Sequence, residues 1–166
     1  MMRILGIDAS LRSTGVAIVE YSGFSMKAID YRPIKNSAKL PLTSCLKNLV
    51  QSIHKYISEF QPNEVAIEGI YYCKNVKTSI ILGQARGAMI STCAVAGLPV
   101  YEYSPTRIKQ AVTGTGTASK EQIQRMMMRI LSLSELPQED AGDALAIAMT
   151  HIHGRNNINL CTSNEI

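Results

Sequence analysis

The sequence predicts an α/β fold with a five-stranded mixed sheet, in which three antiparallel strands are continued by two parallel strands and helices flank both faces. Within residues 1–34, runs rich in Ile and Val are separated only by short polar turns, which is typical of antiparallel strands. From residue 41, helical apolar spacing alternates with short apolar runs, which indicates right-handed parallel crossovers. A chain of 166 residues, 46% of them hydrophobic, fits one domain with a sizeable aliphatic core.

The first two strands are predicted from apolar residues 4–7 and 16–19, which flank a polar loop. Residues 26–34 alternate in polarity and predict a third strand, and Pro33 places it at an edge because proline cannot donate a ladder hydrogen bond. Asp8 ends the first strand in an otherwise apolar setting. A carboxylate there is costly to desolvate unless it is paired, hydrogen-bonded or bound to a metal, so Asp8 is a candidate functional residue.

The rest of the chain alternates helices with strands. Apolar residues three and four apart predict a helix from near Pro41 to just before Pro62, and residues 64–70 predict a buried strand that carries a second acid, Glu68. Ser119 and Gln122 form a capping-box pattern. The remaining predicted elements are helices at 78–96, from 104, at 119–131 and at 139–153, and a strand at 99–103. We expect one domain over 1–154 and a polar, flexible tail over 155–166.

Composition excludes several classes of protein. No apolar run approaches the roughly 20 residues of a membrane helix, and no signal-peptide pattern is present, so we expect a cytoplasmic protein with no membrane partner. The net charge of +4 is weak support for an anionic partner such as nucleic acid. The four cysteines form no Cys-x-x-Cys pair, so neither a zinc site nor a disulfide framework is indicated. His151 and His153, two apart on a helix, face different directions and predict capping or surface roles.

Two further acids, Asp140 and Asp143, are three residues apart at the start of an apolar helix and so share a face. Helix-dipole stabilisation explains Asp140 as well as function does, whereas Asp143 precedes a helix that is apolar nearly all round. If the first and fourth strands are parallel neighbours, Asp8 and Glu68 meet at one sheet edge, and the last helix can add the other two acids. Four converging acids need a cation, and oxygen ligands suit Mg²⁺ or Mn²⁺. A paired-metal site beside basic surface indicates phosphodiester hydrolysis.

Particular motifs strengthen this interpretation. The most specific are Leu-Gly-Gln-Ala-Arg-Gly at 82–87 and Asp-Ala-Gly-Asp-Ala-Leu-Ala at 140–146, together with Ile-Leu-Gly-Ile-Asp at 4–8. With these residues, nearly the whole chain resembles the RuvC family of bacterial crossover-junction endodeoxyribonucleases, which belongs to the ribonuclease H-like superfamily. The resemblance implies a ribonuclease H-like fold and a homodimer that resolves four-way (Holliday) junctions by paired nicks during recombination and repair. It also implies two Mg²⁺ per subunit, replaceable by Mn²⁺, and RuvA and RuvB as partners.

Carried over residue by residue, the resemblance assigns metal binding and catalysis to the four acids, Asp8, Glu68, Asp140 and Asp143. It assigns a catalytic and DNA-contacting role to Lys109 and a DNA-contacting role to Lys120. From the residues alone, Lys109 is as well explained as a solvated helix residue. Lys120 opposes the dipole in the first turn of its helix, which favours a phosphate-facing role.

A second basic segment follows the predicted Glu68 strand. Tyr71 and Tyr72 precede Lys74 and Lys77, a mix suited to stacking on unpaired bases while holding phosphates, although a tyrosine at a loop start is common. The resemblance places Tyr71 at the junction core. We therefore predict DNA binding by Tyr71, Lys74 and Lys77.

Two glycines and one loop complete the sequence-based expectations. Gly83 and Gly87, four apart on a helix, permit close packing on the sheet, and the resemblance assigns them to the dimer interface. Many family members follow the catalytic Asp with Pro-Gly, whereas this chain has Ala9 and Ser10. We expect the turn to differ there, because glycine permits a positive φ that serine adopts only at a cost.

Three other functions are compatible with parts of the pattern. A different ribonuclease H-like nuclease would cut RNA in hybrids, but the aromatic-basic loop argues against it. Asp8 followed by Ser10, Ser13 and Thr14-Gly15 loosely resembles the phosphate hairpin of sugar-kinase or actin-like ATPases, which need two lobes where this chain has length for one. A junction-binding protein with a dead site would be indifferent to Asp8→Asn.

Overall fold

The computed structural model describes residues 1–23, 25–69, 75–156 and 164–166. Within them, one mixed sheet has the strand order β3-β2-β1-β4-β5-β6. The β1–β2, β2–β3 and β5–β6 pairs are antiparallel, and β1, β4 and β5 run parallel. The five predicted strands are confirmed, and β3 lies at an edge, as Pro33 predicted. The bounds are β1 Met2–Asp8, β2 Ser13–Ser22, β3 Ser25–Lys35, β4 Glu64–Glu68, β5 Val100–Tyr103 and β6 Asn164–Glu165.

Helices cover both faces of this sheet. Two of them pack on one face and three on the other. Ser104 caps the third helix through the N–H of Arg107, and the capping box of Ser119 and Gln122 is present at the fourth. Among the described residues, no helix combines the length and apolar content needed to cross a bilayer. The bounds are α1 Leu42–Phe60 and α2 Val76–Val95 on the first face, and α3 Pro105–Thr113, α4 Lys120–Leu131 and α5 Glu139–Asn156 on the second.

The fold extends past the boundary predicted at residue 154. Helix α5 continues to Asn156, and the Arg155 guanidinium pairs with Glu64. Strand β6 pairs with Tyr101 and Glu102 of β5. These parts of the predicted flexible tail therefore belong to the fold. Polar composition did not reveal this, because strand pairing at a sheet edge uses backbone groups and needs no apolar side chains.

Helix α5 lies directly on the backbone of the neighbouring strands β1 and β2. A Cβ built on Gly6 would lie 2.1 Å from the Ala144 carbonyl oxygen, and one built on Gly15 would lie 1.8 Å from that of Asp140. Only glycine permits contact this close. The first turn of α5 is thereby held against β2 beside Asp8, the strand partner of Gly15. The rest of α5 is buried nearly all round, as predicted.

His151 lies inside the fold, so its predicted capping or surface role is wrong. Its side chain is 1% exposed, with Nε2 2.5 Å from a Glu64 carboxylate oxygen and Nδ1 2.6 Å from the Tyr103 hydroxyl. Because a carboxylate only accepts, Nε2 carries the proton and Nδ1 accepts from Tyr103. This chain of hydrogen bonds ties α5 to β4 and β5. His153 instead bonds through Nδ1 to the Ala111 carbonyl, 2.9 Å away.

Candidate active site

The parallel pairing of β1 with β4 places two acids side by side. Ile7 is the register partner of Ile67, so Asp8 and Glu68 follow at the carboxyl ends of neighbouring strands. The predicted juxtaposition of these acids is confirmed. The same edge of an open α/β sheet is where ligands commonly bind.

Helix α5 brings its acids to Asp8, and their charges act on it. Burial raises the pKa of Asp8 to about 7, with further contributions from Asp143, Glu68 and Asp140, in that order. Lys120 opposes the rise. The other three acids selected from the sequence are thus close enough to Asp8 to influence its ionisation.

The neighbouring carboxylates are affected in the same way. Burial raises the pKa of Glu68, Asp143 raises it further, and Lys109 lowers it. Burial also raises the pKa of Asp143, against an opposing effect of Lys120. Three acids with raised pKa values form a site that favours a cation, since added positive charge would stabilise their ionised forms.

Two predicted lysines line the cleft in front of these acids. Lys109 and Lys120 border a cavity of about 260 Å³ together with Glu68 and Asp143. The Lys120 ammonium pairs with Glu139 and lies 3.5 Å from Asp143 Oδ2. A phosphate would therefore have to compete with these two carboxylates for the Lys120 ammonium.

The remaining predicted DNA contacts are placed only in part. Lys77 is exposed in the first turn of α2. Tyr71 and Lys74 lie outside the described residues, so their roles stay predictions.

The described acids come together without forming a compact ligand set. Within residues 1–23, 25–69, 75–156 and 164–166, no group of three or more His, Cys, Asp or Glu side chains has the arrangement of a metal site. Asp140 accepts a hydrogen bond from the Ser13 hydroxyl, and Asp143 is turned towards Lys120. The chemistry of the donors nevertheless fits Mg²⁺ or Mn²⁺, because all four are hard carboxylate oxygens. Metal binding by these four acids therefore stays a prediction.

Arg86 supports the strand end that carries Glu68. Its Nε donates to the Glu68 carbonyl oxygen at 3.3 Å, and its guanidinium pairs with Glu102 on β5. Both side chains of the pair are mostly buried, at 15% and 28% exposure. The pair links α2, β4 and β5 at the edge where the acids meet.

Gly83 and Gly87 lie on the exposed side of α2, and no atom comes within 4 Å of a Cβ built on either. They therefore do not mediate close packing on the sheet. Val76 and Ile80, at helical spacing from them, are 75% and 56% exposed. The four residues form an apolar stripe along α2, which we call the α2 stripe.

The loop after Asp8 is closed by side-chain hydrogen bonds. Thr14 Oγ1 accepts from the Ser10 N–H at 3.2 Å and donates to the Ser10 carbonyl. Ser10 has no positive φ; among the described non-glycine residues only Gln61 and Ser132 do. Serine is therefore unstrained here, and its backbone is held by Thr14.

The comparisons with known proteins agree with this geometry. The family model "Crossover junction endodeoxyribonuclease RuvC" matches residues 4–151. This chain belongs to the RuvC family. The RuvC of Caldicellulosiruptor saccharolyticus is 46% identical over 153 residues, which cover 91% of this chain and 92% of that one. The RuvC of Pelobacter propionicus is 43% identical over 155 residues, which cover 93% and 88%.

A solved structure extends the comparison to the fold. "T. thermophilus RuvC in complex with Holliday junction substrate" superposes with a TM-score of 0.93 at 28% identity and covers 100% of both chains. The predicted ribonuclease H-like mixed sheet of the RuvC family is thereby confirmed.

Ser13 lies at the site as the partner of Asp140, whereas the sequence linked it only to an ATPase-like pattern. Only its place in a polar loop after Asp8 could have suggested it, because its partner Asp140 is 127 positions away. Arg86 belongs to the motif at 82–87, which supported the resemblance but did not indicate that its side chain would support Glu68. An arginine among small and apolar residues was the signal in the sequence, since a charge that becomes buried requires a partner.

We expect Ser13→Ala to weaken divalent-metal binding about tenfold, because partners that orient a ligating carboxylate are typically worth 10–100-fold in affinity. The loss of the hydroxyl frees Asp140 to rotate. Mn²⁺ titration followed by electron paramagnetic resonance measures the affinity directly. Ser13→Thr, which keeps the hydroxyl, is the matched control, and equal affinity in Ser13→Ala and wild type would exclude an orienting role.

Proposed function

We propose that this chain is a divalent-metal-dependent endonuclease that resolves Holliday junctions by paired symmetric nicks in recombination and DNA repair. The observation that carries the proposal is the meeting of Asp8, Glu68 and Asp143, with raised pKa values, at one sheet edge of a RuvC family chain. Carboxylates in such an arrangement can hold the metal ions that assist phosphodiester hydrolysis.

The four acids would hold two Mg²⁺ ions per subunit, with Mn²⁺ able to replace them. Bound metal supplies an activated water and stabilises the negative charge that develops on the reacting oxygens. Asp8 and Glu68 end rigid central strands, so they fix the position of the scissile phosphate relative to the sheet. Asp140 and Asp143 close the site from α5, with Ser13 orienting Asp140.

Lys109 and Lys120 act on the DNA from the wall of the cleft. Lys109 borders the same cavity as Glu68 and lowers the pKa of that carboxyl, so its ammonium would attract a phosphate bound there. Lys120 is held by Glu139 and Asp143 and brings positive charge to the same place. Tyr71, Lys74 and Lys77 would contact the DNA beyond the cleft.

A dimer follows from the symmetry of the substrate. A four-way junction has two-fold symmetry, so two nicks at equivalent positions require two equivalent sites. The α2 stripe offers the surface for it: Gly83 and Gly87 leave room for a second backbone, and Val76 and Ile80 would be buried. Sedimentation of the wild-type chain should give a species of twice the mass of one chain.

Incubation with a synthetic four-way junction, an RNA–DNA hybrid and linear duplex, with and without Mg²⁺, tests the activity. We expect paired nicks in the junction alone, and only with the metal. Cleavage of the hybrid alone would replace the proposal by the alternative nuclease. Junction binding without cleavage in Mg²⁺ or Mn²⁺ would indicate the dead-site alternative.

The expected cooperation with RuvA and RuvB, and action in the cytoplasm, belong to the same proposal. Both derive from the RuvC family membership of the chain. Co-sedimentation of the three proteins on a junction tests the first.

A further inference from the structure

A cluster of basic residues lies on the β3 side of β1, whereas Lys109 and Lys120 line the cavity beside Glu68 of β4, on the other side of β1. Arg12 follows Asp8 in the first loop, Lys35 ends β3, and Lys39 lies between β3 and α1. All three residues are exposed. We call them the basic patch.

The basic patch belongs to the same sheet edge as the catalytic acids. Asp8 pairs with Gly15 on β2, and Lys35 pairs with Ser13 two residues along the same strand. Two interstrand steps of about 4.8 Å and two residue steps of about 3.4 Å put the Lys35 and Asp8 backbones roughly 12 Å apart. That distance corresponds to about three to four base-pair steps of duplex DNA.

Lys35 also shares a neighbour with the site. Its cross-strand partner Ser13 donates to Asp140. Directly opposite residues on an antiparallel pair project to the same face, so Lys35 leaves the sheet on the side where α5 brings its acids.

The backbone under the basic patch is fixed by hydrogen bonds. Arg12 Nη1 donates to the carbonyls of Ser37 at 2.6 Å and Leu40 at 3.2 Å, on either side of Lys39. The buried Asn36 donates to the Leu11 carbonyl at 2.7 Å and so joins the two loops. A rigid support lowers the entropy cost of binding a ligand.

None of the ion pairs in the described part of the protein neutralises the basic patch. The ion pairs found in residues 1–23, 25–69, 75–156 and 164–166 involve none of its three members. The basic patch thus has three exposed cations on a backbone that hydrogen bonds hold in place, next to the proposed cleavage site. Such a surface favours binding of a polyanion.

We propose that Arg12, Lys35 and Lys39 bind the phosphate backbone of the substrate DNA about three to four base pairs from the cleaved phosphate. This inference rests on the proposed function. The DNA then lies between cations on both flanks of the acids, with Lys109 and Lys120 on one side and the basic patch on the other. A strand bound at both flanks is held in register over the acids without contacts to its bases.

The test measures junction affinity against salt concentration in Lys35→Gln/Lys39→Gln, on an Asp8→Asn background that leaves the DNA uncut. The slope of log K against log salt should fall by about 1.8, or about 0.9 per lost phosphate contact. The affinity of the Asp8→Asn parent relative to the double variant then drops about 60-fold for a tenfold rise in salt. The double variant keeps Arg12, which the loops need for their structure.

The matched control is Lys27→Gln/Lys55→Gln, which removes two exposed lysines from the opposite end of β3 and from late α1. Its slope should stay near that of the parent. Equal slopes in the two double variants would overturn the inference and leave the proposed function intact, since the parent would still bind the junction. A parent that binds no junction would overturn both.

Discussion

Replacing Asp8 by Asn should abolish cleavage while junction binding persists. Burial and the charges of the other three acids act on Asp8, and in the proposed metal site Asp8→Asn would remove one ligand. We expect a fall in the cleavage rate of about 1,000-fold, equivalent to about 4 kcal/mol of transition-state stabilisation. Single-turnover cleavage of a labelled junction measures the rate, and a mobility-shift assay measures binding.

The same substitution should stabilise the metal-free protein. Because the folded-state pKa of Asp8 is raised from 3.8 to about 7, the protein loses stability progressively as the pH rises between those two values. At pH 8, Asp8→Asn should therefore gain at least ~1 kcal/mol, or about 2–4 °C in Tm. At pH 4 and below, near the ordinary pKa of an unfolded aspartate, the gain should be small. Thermal unfolding in a chelating buffer measures the stability of both proteins. An Asp8→Asn variant less stable than wild type at pH 8 would show that the ionised Asp8 carboxylate does not destabilise the metal-free fold.

Gly15→Ala should remove both stability and activity. The new Cβ would lie 1.8 Å from the Asp140 carbonyl oxygen, so the first turn of α5 must move away from β2. We expect a loss of about 3 kcal/mol or more, since overpacking against backbone has no flexible side chain to absorb it. Thermal unfolding measures the stability, and Mn²⁺ affinity of the folded fraction reports the displacement of Asp140 and Asp143.

Gly142→Ala is the matched control for this helix. Its Cβ would meet the nearest side-chain atom, on Pro137, at 3.4 Å, which is an ordinary contact. An exchange of Gly for Ala within a helix generally gains up to about 1 kcal/mol. If Gly15→Ala were as stable as Gly142→Ala, the close contact between Gly15 and the Asp140 carbonyl would not determine the position of α5.

Three of the four site acids were predictable because each broke a local pattern. Asp8 ends an apolar strand, Glu68 does the same, and Asp143 lies near the start of a helix that is otherwise buried, so the cost of burying a charge marks them. The wrong role for His151 has a related cause. Spacing on one helix says nothing about Tyr103 and Glu64, which reach His151 from two other strands.

Contacts across the fold were beyond sequence reasoning for the same reason. Ser13 meets Asp140 only because Gly15 lets α5 approach β2 at backbone distance. No period or motif in the chain encodes that approach. Polar composition also hid β6, since edge pairing is made by backbone groups.

The short strand at the end of the chain protects the protein from self-association. Strand β5 would otherwise present unpaired N–H and C=O groups, and such edges recruit strands from other molecules. Pairing of β6 with Tyr101 and Glu102, and the bond from the Ile166 N–H to the Val100 carbonyl at 3.0 Å, cover part of that edge. We expect a chain truncated after Asn156 to keep the four site acids and to expose the edge of β5, which favours aggregation.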